Sequence, residues 1–335
     1  MEISIGKIPD RILTRSVRKQ IGHHKRIEVL HTKGVSLDAS ILKVEEGQEL
    51  VITTNPSIGA LSKDAKRALF RVTNNLVVKG AAPIGVLVTL LLPACEKEEN
   101  LRVYMKNLEQ ACKELDLELI GGHTEAAVAI SQPILSLTGV GMRQTNNDDA
   151  GILPSQELVM TRWAGAEGAA ILVTDRFEDL RKKYPSDFLE EILDTPEDTS
   201  VWEAAKIGYE HHVSAMHDVA GSGVFGALWE LAQAYQVGFE VDLKKIPIRQ
   251  ETIEICEFFE LNPYLLTARG CLLMVCDHGN EMVQTLERAG IKAAVIGRIT
   301  QSQDKIIRND EELRHLEPPR EDELYKAFQA GKGVS

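Results

Sequence analysis

Apolar residues recur with two different periods along the first half of the chain. Apolar runs bounded by turn residues predict β-strands at Leu50–Thr54, Gly85–Leu92, Leu117–Ile120 and Leu135–Met142. Apolar residues spaced three and four positions apart predict helices at Ser62–Lys79 and Asn100–Leu115. The alternation of the two patterns is typical of an α/β domain, in which helices pack on a sheet.

The same alternation returns in the second half, after a polar stretch at 144–149 that has no apolar period and predicts a linker. Strands are predicted at Glu157–Thr161, Ala169–Thr174, Gly238–Val241, Gly270–Asp277 and Lys292–Ile299. Helices are predicted at Asp187–Leu193, Ser200–Glu210, Gly223–Tyr235, Glu251–Phe259 and Asn280–Ala289. Residues after Thr300 are charged, with an amphipathic piece at Glu321–Phe328, and are expected to be peripheral. The chain is therefore expected to form two α/β domains.

A glycine-rich turn precedes the predicted helix at Gly223. Asp218 is followed closely by Gly221 and Gly223, whose missing Cβ atoms allow a ligand to approach the backbone. The N–H groups and the positive dipole end of the helix would face the same place, so the pattern favours an anion site with Asp218 holding a cation beside it. The alternative is an ordinary helix start in which glycine serves tight packing.

A second polar group follows the strand predicted at Leu117–Ile120. Gly121 and Gly122 permit a turn there, and the side chains of His123, Thr124 and Glu125 would leave that turn together. Read alone, the segment is equally compatible with a ligand-binding loop and with a hairpin turn whose polar residues are solvated.

Composition narrows the classes of function. The net charge is −12 with a pI near 5.3, which argues against nucleic acid as a partner, because that partner needs clustered Lys and Arg. Apolar residues make up 44%, enough for two cores, yet the longest apolar run is shorter than a membrane span. Five cysteines without CxxC spacing predict buried, reduced thiols, and the polar N-terminal residues predict a cytoplasmic protein.

Seven segments in order carry a resemblance to a known family: GKIPDRIL from Gly6, GVSLDASIL from Gly34, VITTNPSIG from Val51, VTNNLVVKGAAP from Val72, GGHTE from Gly121, AMHDVAGSGV from Ala215 and IPIRQE from Ile246. In this order and spacing the chain resembles the AIR synthetase-like (PurM-like) superfamily over residues 6–300. Its members use ATP to phosphorylate an oxygen atom of their substrates. They include thiamine-monophosphate kinase, selenophosphate synthetase and the hydrogenase-maturation protein HypE, and the HypE-like pattern is the nearest.

The resemblance implies a two-domain fold. Residues 1–34 would form an N-terminal segment, residues 35–145 a domain with a dimer-forming sheet, residues 153–305 a C-terminal α/β domain and residues 306–335 a tail. It further implies a homodimer that binds ATP with Mg²⁺ in a cleft near the dimer interface, and a phosphoryl acceptor, small molecule or protein, that the sequence does not identify. DNA, RNA and membranes are not expected partners.

The resemblance also assigns residues. Asp38 and Asp218 would hold Mg²⁺, although the usual pair of adjacent acids has become Leu37–Asp38. The alternative for Asp38 is an ordinary turn aspartate. His123 and Glu125 would be catalytic. The nucleotide would contact the two glycine segments, one threonine and two asparagines: Asn55, Asn75, Gly121, Gly122, Thr124, Gly221 and Gly223.

Several departures from the family pattern leave two functions open. Asn55 and Asn75 stand where catalytic relatives carry aspartate, which removes about two negative charges from the metal site. Arg269 stands where relatives frequently carry an acid, and it would make the pocket more favourable to anions. HypE acts on a cysteine at its own tail, but this chain has no cysteine beyond Cys276, so that reaction is not expected. The chain is either an ATP-dependent phosphoryl-transfer enzyme or a non-catalytic nucleotide- or partner-binding protein derived from one.

Overall fold

The chain divides into two compact units, Met1–Asp148 and Asp149–Ser335, called here the N-terminal and the C-terminal unit. The computed structural model describes residues 5–22, 26–30, 40–58, 61–145, 151–193, 199–319 and 321–330. The predicted linker at 144–149 lies at this division, and most of it is outside the described residues.

Within the described residues, the N-terminal unit alternates strands and helices as predicted. Its strands are β1 Gly6–Lys7, β2 Val29–Leu30, β3 Ile41–Leu42, β4 Gln48–Ile58, β5 Ala82–Pro93, β6 Glu118–Ala127 and β7 Ile134–Gln144. Its helices are α1 Asp10–Ser16, α2 Leu61–Val77 and α3 Glu98–Glu114. The four strands and two helices predicted for this half are confirmed.

Five of these strands form one sheet in the order β1-β6-β5-β7-β4, with β5 and β6 parallel and the other pairs antiparallel. Every second residue of β5, such as Val86, Val88 and Leu90, joins the apolar core with Leu69 and Val72 of α2. The sheet therefore has a helix-facing side, which is buried, and an opposite side, called here the outer face.

One end of the outer face is covered by the short hairpin of β2 and β3. Val29 and Leu42 of this hairpin pack with Ile84, Ile120 and Met142 of the sheet. On the neighbouring edge strand β4, the outward residue Ile52 is 62% exposed. Within the described residues, the hairpin therefore covers the outer face around Met142, while an apolar side chain of β4 remains exposed.

The segment Gly121–Glu125 does not form the predicted turn after a strand but lies inside β6. A bulge at Ile120 separates the pair Val86–Leu119 from the pair Leu87–Gly121, and the pairing then continues to Ala127. Gly122 has φ +146°, and a Cβ atom there would come within 2.0 Å of the Val88 carbonyl oxygen. Glycine at 122 is required by this close approach of two parallel strands, not by a turn.

The C-terminal unit contains a second sheet among its described residues, in the order β14-β13-β10-β12-β8-β11-β9. Its strands are β8 Glu157–Thr161, β9 Ala215–Asp218, β10 Gly238–Asp242, β11 Leu272–Cys276, β12 Ala293–Thr300, β13 Lys305–Asn309 and β14 Glu312–His315. Its helices are α4 Ala166–Leu180, α5 Ser186–Leu193, α6 Trp202–Glu210, α7 Gly223–Tyr235, α8 Gln250–Phe258, α9 Gly279–Arg288 and α10 Glu323–Ala330. The five predicted helices and four of the five predicted strands are confirmed.

The strand predicted at Ala169–Thr174 is wrong, because these residues belong to α4. Ala169, Leu172, Val173 and Leu180 recur at helical spacing and are buried with residues of α5 and α8. The apolar run AAILV resembles a buried strand when read alone, but its burial follows the period of a helix.

The expectation that residues after Thr300 are peripheral is also wrong. β13 pairs in parallel with β10, which buries Ile307, and α10 buries Ala327 against the α4–α8 core. Asp322 and Glu323 are 7% and 2% exposed. The C-terminal residues therefore complete both the sheet and the core of this unit.

The cysteine side chains are mostly inert. Cys112, Cys256, Cys271 and Cys276 are buried, whereas Cys95 is exposed. Burial raises the pKa of Cys256 and of Cys271 to about 12, so both are neutral thiols at physiological pH. None of the helices in the described ranges combines the length and the apolar character needed to cross a membrane.

A buried carboxylate fastens α1 to α3. The Glu98 side chain, in the first turn of α3, accepts hydrogen bonds from the Arg15 guanidinium and, at 2.7 Å, from Ser16 Oγ. These bonds, the one from Arg15 first, lower the pKa of Glu98 to about 2 despite its burial. The fastening therefore depends on an ionised carboxylate.

We expect Glu98→Gln to lower the free energy of unfolding by about 2 kcal/mol at pH 7, because it removes hydrogen bonds to a charged group. A depressed pKa adds stability above the ordinary value of 4.5, and this stability is lost as pH falls through about 2. The difference between wild type and variant, measured by urea unfolding, should shrink over that range. Glu99→Gln alters the neighbouring exposed residue and should change stability by less than about 0.5 kcal/mol. Equal losses in both variants would contradict this role of Glu98.

Candidate functional site

The predicted glycine turn connects β9 to α7. Ser222 and Gly223 have φ +60° and +58°, and a Cβ atom on Gly223 would lie 2.6 Å from the carbonyl oxygens of Tyr264 and Leu266. Gly221 is different, because the nearest atom to a Cβ there would be the Asp322 carboxylate at 3.8 Å. Gly223 thus allows α7 to pack against the 264–266 segment, whereas Gly221 leaves open space beside Asp322.

Two amide groups at this helix start already have partners within the chain, whereas the sequence predicted unpaired amides. Ser222 N–H donates to Asp322 Oδ2 at 3.0 Å, and Phe225 N–H donates to the Tyr264 carbonyl at 3.1 Å. The other Asp322 oxygen accepts from Thr267 N–H at 3.3 Å and from Leu324 N–H at 2.9 Å. A carboxylate of the same chain therefore occupies the position in which an external anion was predicted.

Arg269 lies among carboxylates. Its guanidinium contacts Glu167 Oε2 at 3.3 Å, and that oxygen also accepts from Thr267 Oγ1 at 2.8 Å. Burial raises the pKa of Asp218 and of Asp322, and the Arg269 charge is among the effects that partly oppose this rise in both. Because three acids share one cation, Arg269 does not turn this region into the positive pocket that its sequence position suggested.

His123 and Glu125 lie together on the outer face of the N-terminal sheet. The register pairs them with Thr89 and Leu91 of β5, and His123 Nε2 is 3.3 Å from Glu125 Oε2. Thr124 points to the opposite side and is 7% exposed. An imidazole beside a carboxylate can accept or donate a proton, which is the chemistry that general acid–base catalysis requires.

Asn55 and Asn75 lie on the helix-facing side instead. Asn55 is opposite the buried Leu137, and Asn75 Nδ2 of α2 donates to Thr53 Oγ1 at 3.0 Å. β4 and β6 are separated by three strand spacings, or about 14 Å. The residues predicted for one site in this unit therefore form two groups on opposite faces of one sheet.

Arg71 belongs to the second group and was not predicted from the sequence. It precedes Asn75 by one turn of α2, and its Nη1 donates to the Pro56 carbonyl at 3.3 Å. Arg71 directly precedes the motif that begins at Val72, and its spacing of four residues from Asn75 was the available signal, because such residues share one helix face.

Magnesium does not fit the described residues. Mg²⁺ prefers carboxylates together with water and phosphate oxygens, yet Asn55 and Asn75 are neutral amides, Asn75 donates to the Thr53 hydroxyl, and the cation Arg71 lies one helical turn before Asn75. Asp218 lies in the field of Arg269, which opposes a second cation there. Within the ranges that the structure describes, no group of three His, Cys, Asp or Glu residues is arranged to hold a metal ion. Asp38 lies outside the described residues.

Comparison with known proteins places both units in one family. Residues 36–143 match the N-terminal domain of AIR synthase related protein, and residues 154–309 match its C-terminal domain. A putative hydrogenase expression/formation protein of Methanocaldococcus jannaschii is 25% identical over 70% of this chain and 69% of its own. A selenide, water dikinase of Methanococcus maripaludis is 25% identical over 93% and 97%.

The fold is also that of a solved structure. The hydrogenase maturation protein HypE in complex with ATP superposes with a TM-score of 0.74 at 16% identity, covering 94% of this chain and 95% of that one. Two domain matches together span most of the chain, in the order that the sequence motifs implied. The chain belongs to the AIR synthase-related protein family.

Proposed function

We propose that this protein binds ATP and, as an ATP-dependent enzyme, phosphorylates an oxygen atom of an acceptor, either a small molecule or a protein. The observation that carries the proposal is the match of both domains to the family. The fold also matches nearly the whole length of HypE, which was solved in complex with ATP. A relative of similar length is a selenide, water dikinase, and a HypE–HypF complex supports a protein as one class of partner.

A second candidate is a non-catalytic nucleotide- or partner-binding protein. The group formed by Thr53, Asn55, Arg71 and Asn75 favours it, because none of these four side chains supplies the negative charge that a phosphoryl-transfer metal needs. ADP release measured against a panel of acceptors separates the two candidates. Retained ATP binding without ADP release from any acceptor would favour the second.

The first prediction here is that ATP raises the melting temperature. A ligand that binds only the native state stabilises it by about 2.7 kcal/mol at a hundredfold excess over Kd. Thermal denaturation with millimolar ATP, with and without Mg²⁺, checks this directly, and isothermal titration calorimetry gives the affinity. AMP and inorganic phosphate serve as controls for ionic strength. Unchanged melting in all ATP conditions together with a flat titration would contradict ATP binding.

The second prediction uses the two faces of the sheet. His123→Gln should leave ATP affinity unchanged, because His123 lies on the outer face whereas Asn55, Asn75 and Arg71 lie on the helix-facing side. If His123 and Glu125 are catalytic, the same variant should lower ADP release by about a hundredfold or more. His315→Gln, which changes an exposed histidine of β14, is the matched control. Weaker ATP binding in His123→Gln would show that the two faces do not act separately.

We also propose that the protein is a homodimer that buries the outer face. The edge strand β4 is eleven residues long, and its outward residues Leu50 and Ile52 are 40% and 62% exposed. A long edge with open apolar side chains invites pairing with a second chain. His123 and Glu125 would then lie close to the dimer interface.

Light scattering coupled to size exclusion should give about twice the 37.1 kDa chain mass, since a closed two-fold pair is the commonest oligomer. Ile52→Glu should shift the population to monomer at micromolar concentration. Val103→Glu is the control, because Val103 is an apolar residue of α3 that is 43% exposed on the helical side. Identical masses for wild type and Ile52→Glu would remove the outer face from the interface.

A further inference from the structure

A strip of polar side chains lines the helix-facing side of the edge strand β4. Thr53 and Asn55 come from the strand, and Arg71 and Asn75 come from one face of α2. Two hydrogen bonds hold the strip together: Asn75 Nδ2 to Thr53 Oγ1 at 3.0 Å, and Arg71 Nη1 to the Pro56 carbonyl at 3.3 Å. All four side chains are half-buried, so they are partly withdrawn from water and still reachable.

The strip is suited to an anion and not to a divalent cation. A guanidinium offers five N–H donors in a planar fork that matches phosphate oxygens, and the amides and the hydroxyl add neutral donors. A divalent cation would have only neutral oxygen ligands from these residues, with the fixed positive charge of Arg71 beside it. Repulsion between such charges is strong where water is partly excluded.

We infer that this strip binds the phosphates of ATP directly, with Arg71 supplying the positive charge that a divalent metal would otherwise bring. The inference rests on the proposed ATP binding and makes it more specific, because the ligand is then free ATP instead of its magnesium complex. Mg²⁺ bound to the phosphates would compete with Arg71 for the same oxygens. Excess Mg²⁺ should accordingly leave affinity unchanged or weaken it.

The test is calorimetric titration of the full chain with ATP, once in EDTA and once in excess MgCl₂. The inference expects binding in EDTA at least as tight as in MgCl₂. Arg71→Gln should weaken binding in EDTA about tenfold or more, since a charge-assisted hydrogen bond is worth at least one decade of affinity. Arg71→Lys should retain part of the ATP affinity in EDTA, because lysine keeps the positive charge but lacks the planar fork of donors. Lys106→Gln removes an exposed positive charge from α3 and should leave the ATP affinity unchanged in both conditions.

A double variant reverses the metal dependence. Asn55→Asp with Asn75→Asp adds two negative charges beside Arg71, so ATP binding should be lost in EDTA and recovered in MgCl₂. Circular dichroism and melting temperature confirm that each variant is folded. If Arg71→Gln does not fold, the comparison of wild type in EDTA and in MgCl₂ still tests whether ATP binds without a divalent metal.

The outcomes are separable. Wild-type binding that appears only with MgCl₂ would overturn the inference and leave the proposed ATP binding intact. Binding in EDTA that is equally strong in Arg71→Gln would also overturn it, because the phosphates would then lie elsewhere. No binding under either condition would refute the proposed function itself. Binding in EDTA that depends on Arg71, together with metal dependence in the double variant, would establish the metal-free site.

Discussion

The carboxylate of Asp322 joins three stretches of the C-terminal unit that are far apart in sequence. Its two oxygens accept N–H groups from the turn before α7, from the segment before β11 and from the start of α10. A buried acid is stable only where such donors surround it, and here they come from the backbone. The glycine turn, the Arg269 cluster and the C-terminal helix consequently share one electrostatic centre. A nucleotide role for Gly221 and Gly223 remains a prediction, and it would require the Asp322 carboxylate to give up these amides.

The sequence could predict most of the fold, because burial on one side imposes a period that is visible in the chain. Strands such as β4, β5 and β7 and helices such as α2 and α7 were predicted within a few residues. The failure at Ala169–Thr174 has a specific cause: a short apolar run contains too little polar sequence for its period to show. The strands β13 and β14 were not predicted, and the amphipathic piece at Glu321–Phe328 was wrongly expected to be peripheral, because these segments are mostly charged and only a few of their residues, such as Ile307 and Ala327, are buried.

The site was less predictable, because its geometry depends on residues that are distant in sequence. No local pattern connects Ser222 with Asp322, which is 100 positions away. Motif order brought Asn55, Asn75, His123 and Glu125 into one predicted site, but motif order does not say which side of a sheet a residue faces. Arg71 was not predicted because it lies outside the motif that begins at Val72, yet its positive charge strongly affects which ligands the strip attracts.

The bulge at Ile120 determines which side chains of β6 point to the outer face. Side chains of a strand alternate between two sides, so one extra residue exchanges the sides of everything that follows it. If Ile120 instead paired with Leu87 in a regular ladder, His123 would be opposite Leu90 in the core, and Thr124 would point outward in its place. The face on which the imidazole–carboxylate pair lies thus depends on the number of residues that precede it in β6 as well as on the identity of the two residues. A relative with the same GGHTE letters and no bulge would present a different surface, so alignment of the motif alone does not establish that two proteins share this pair.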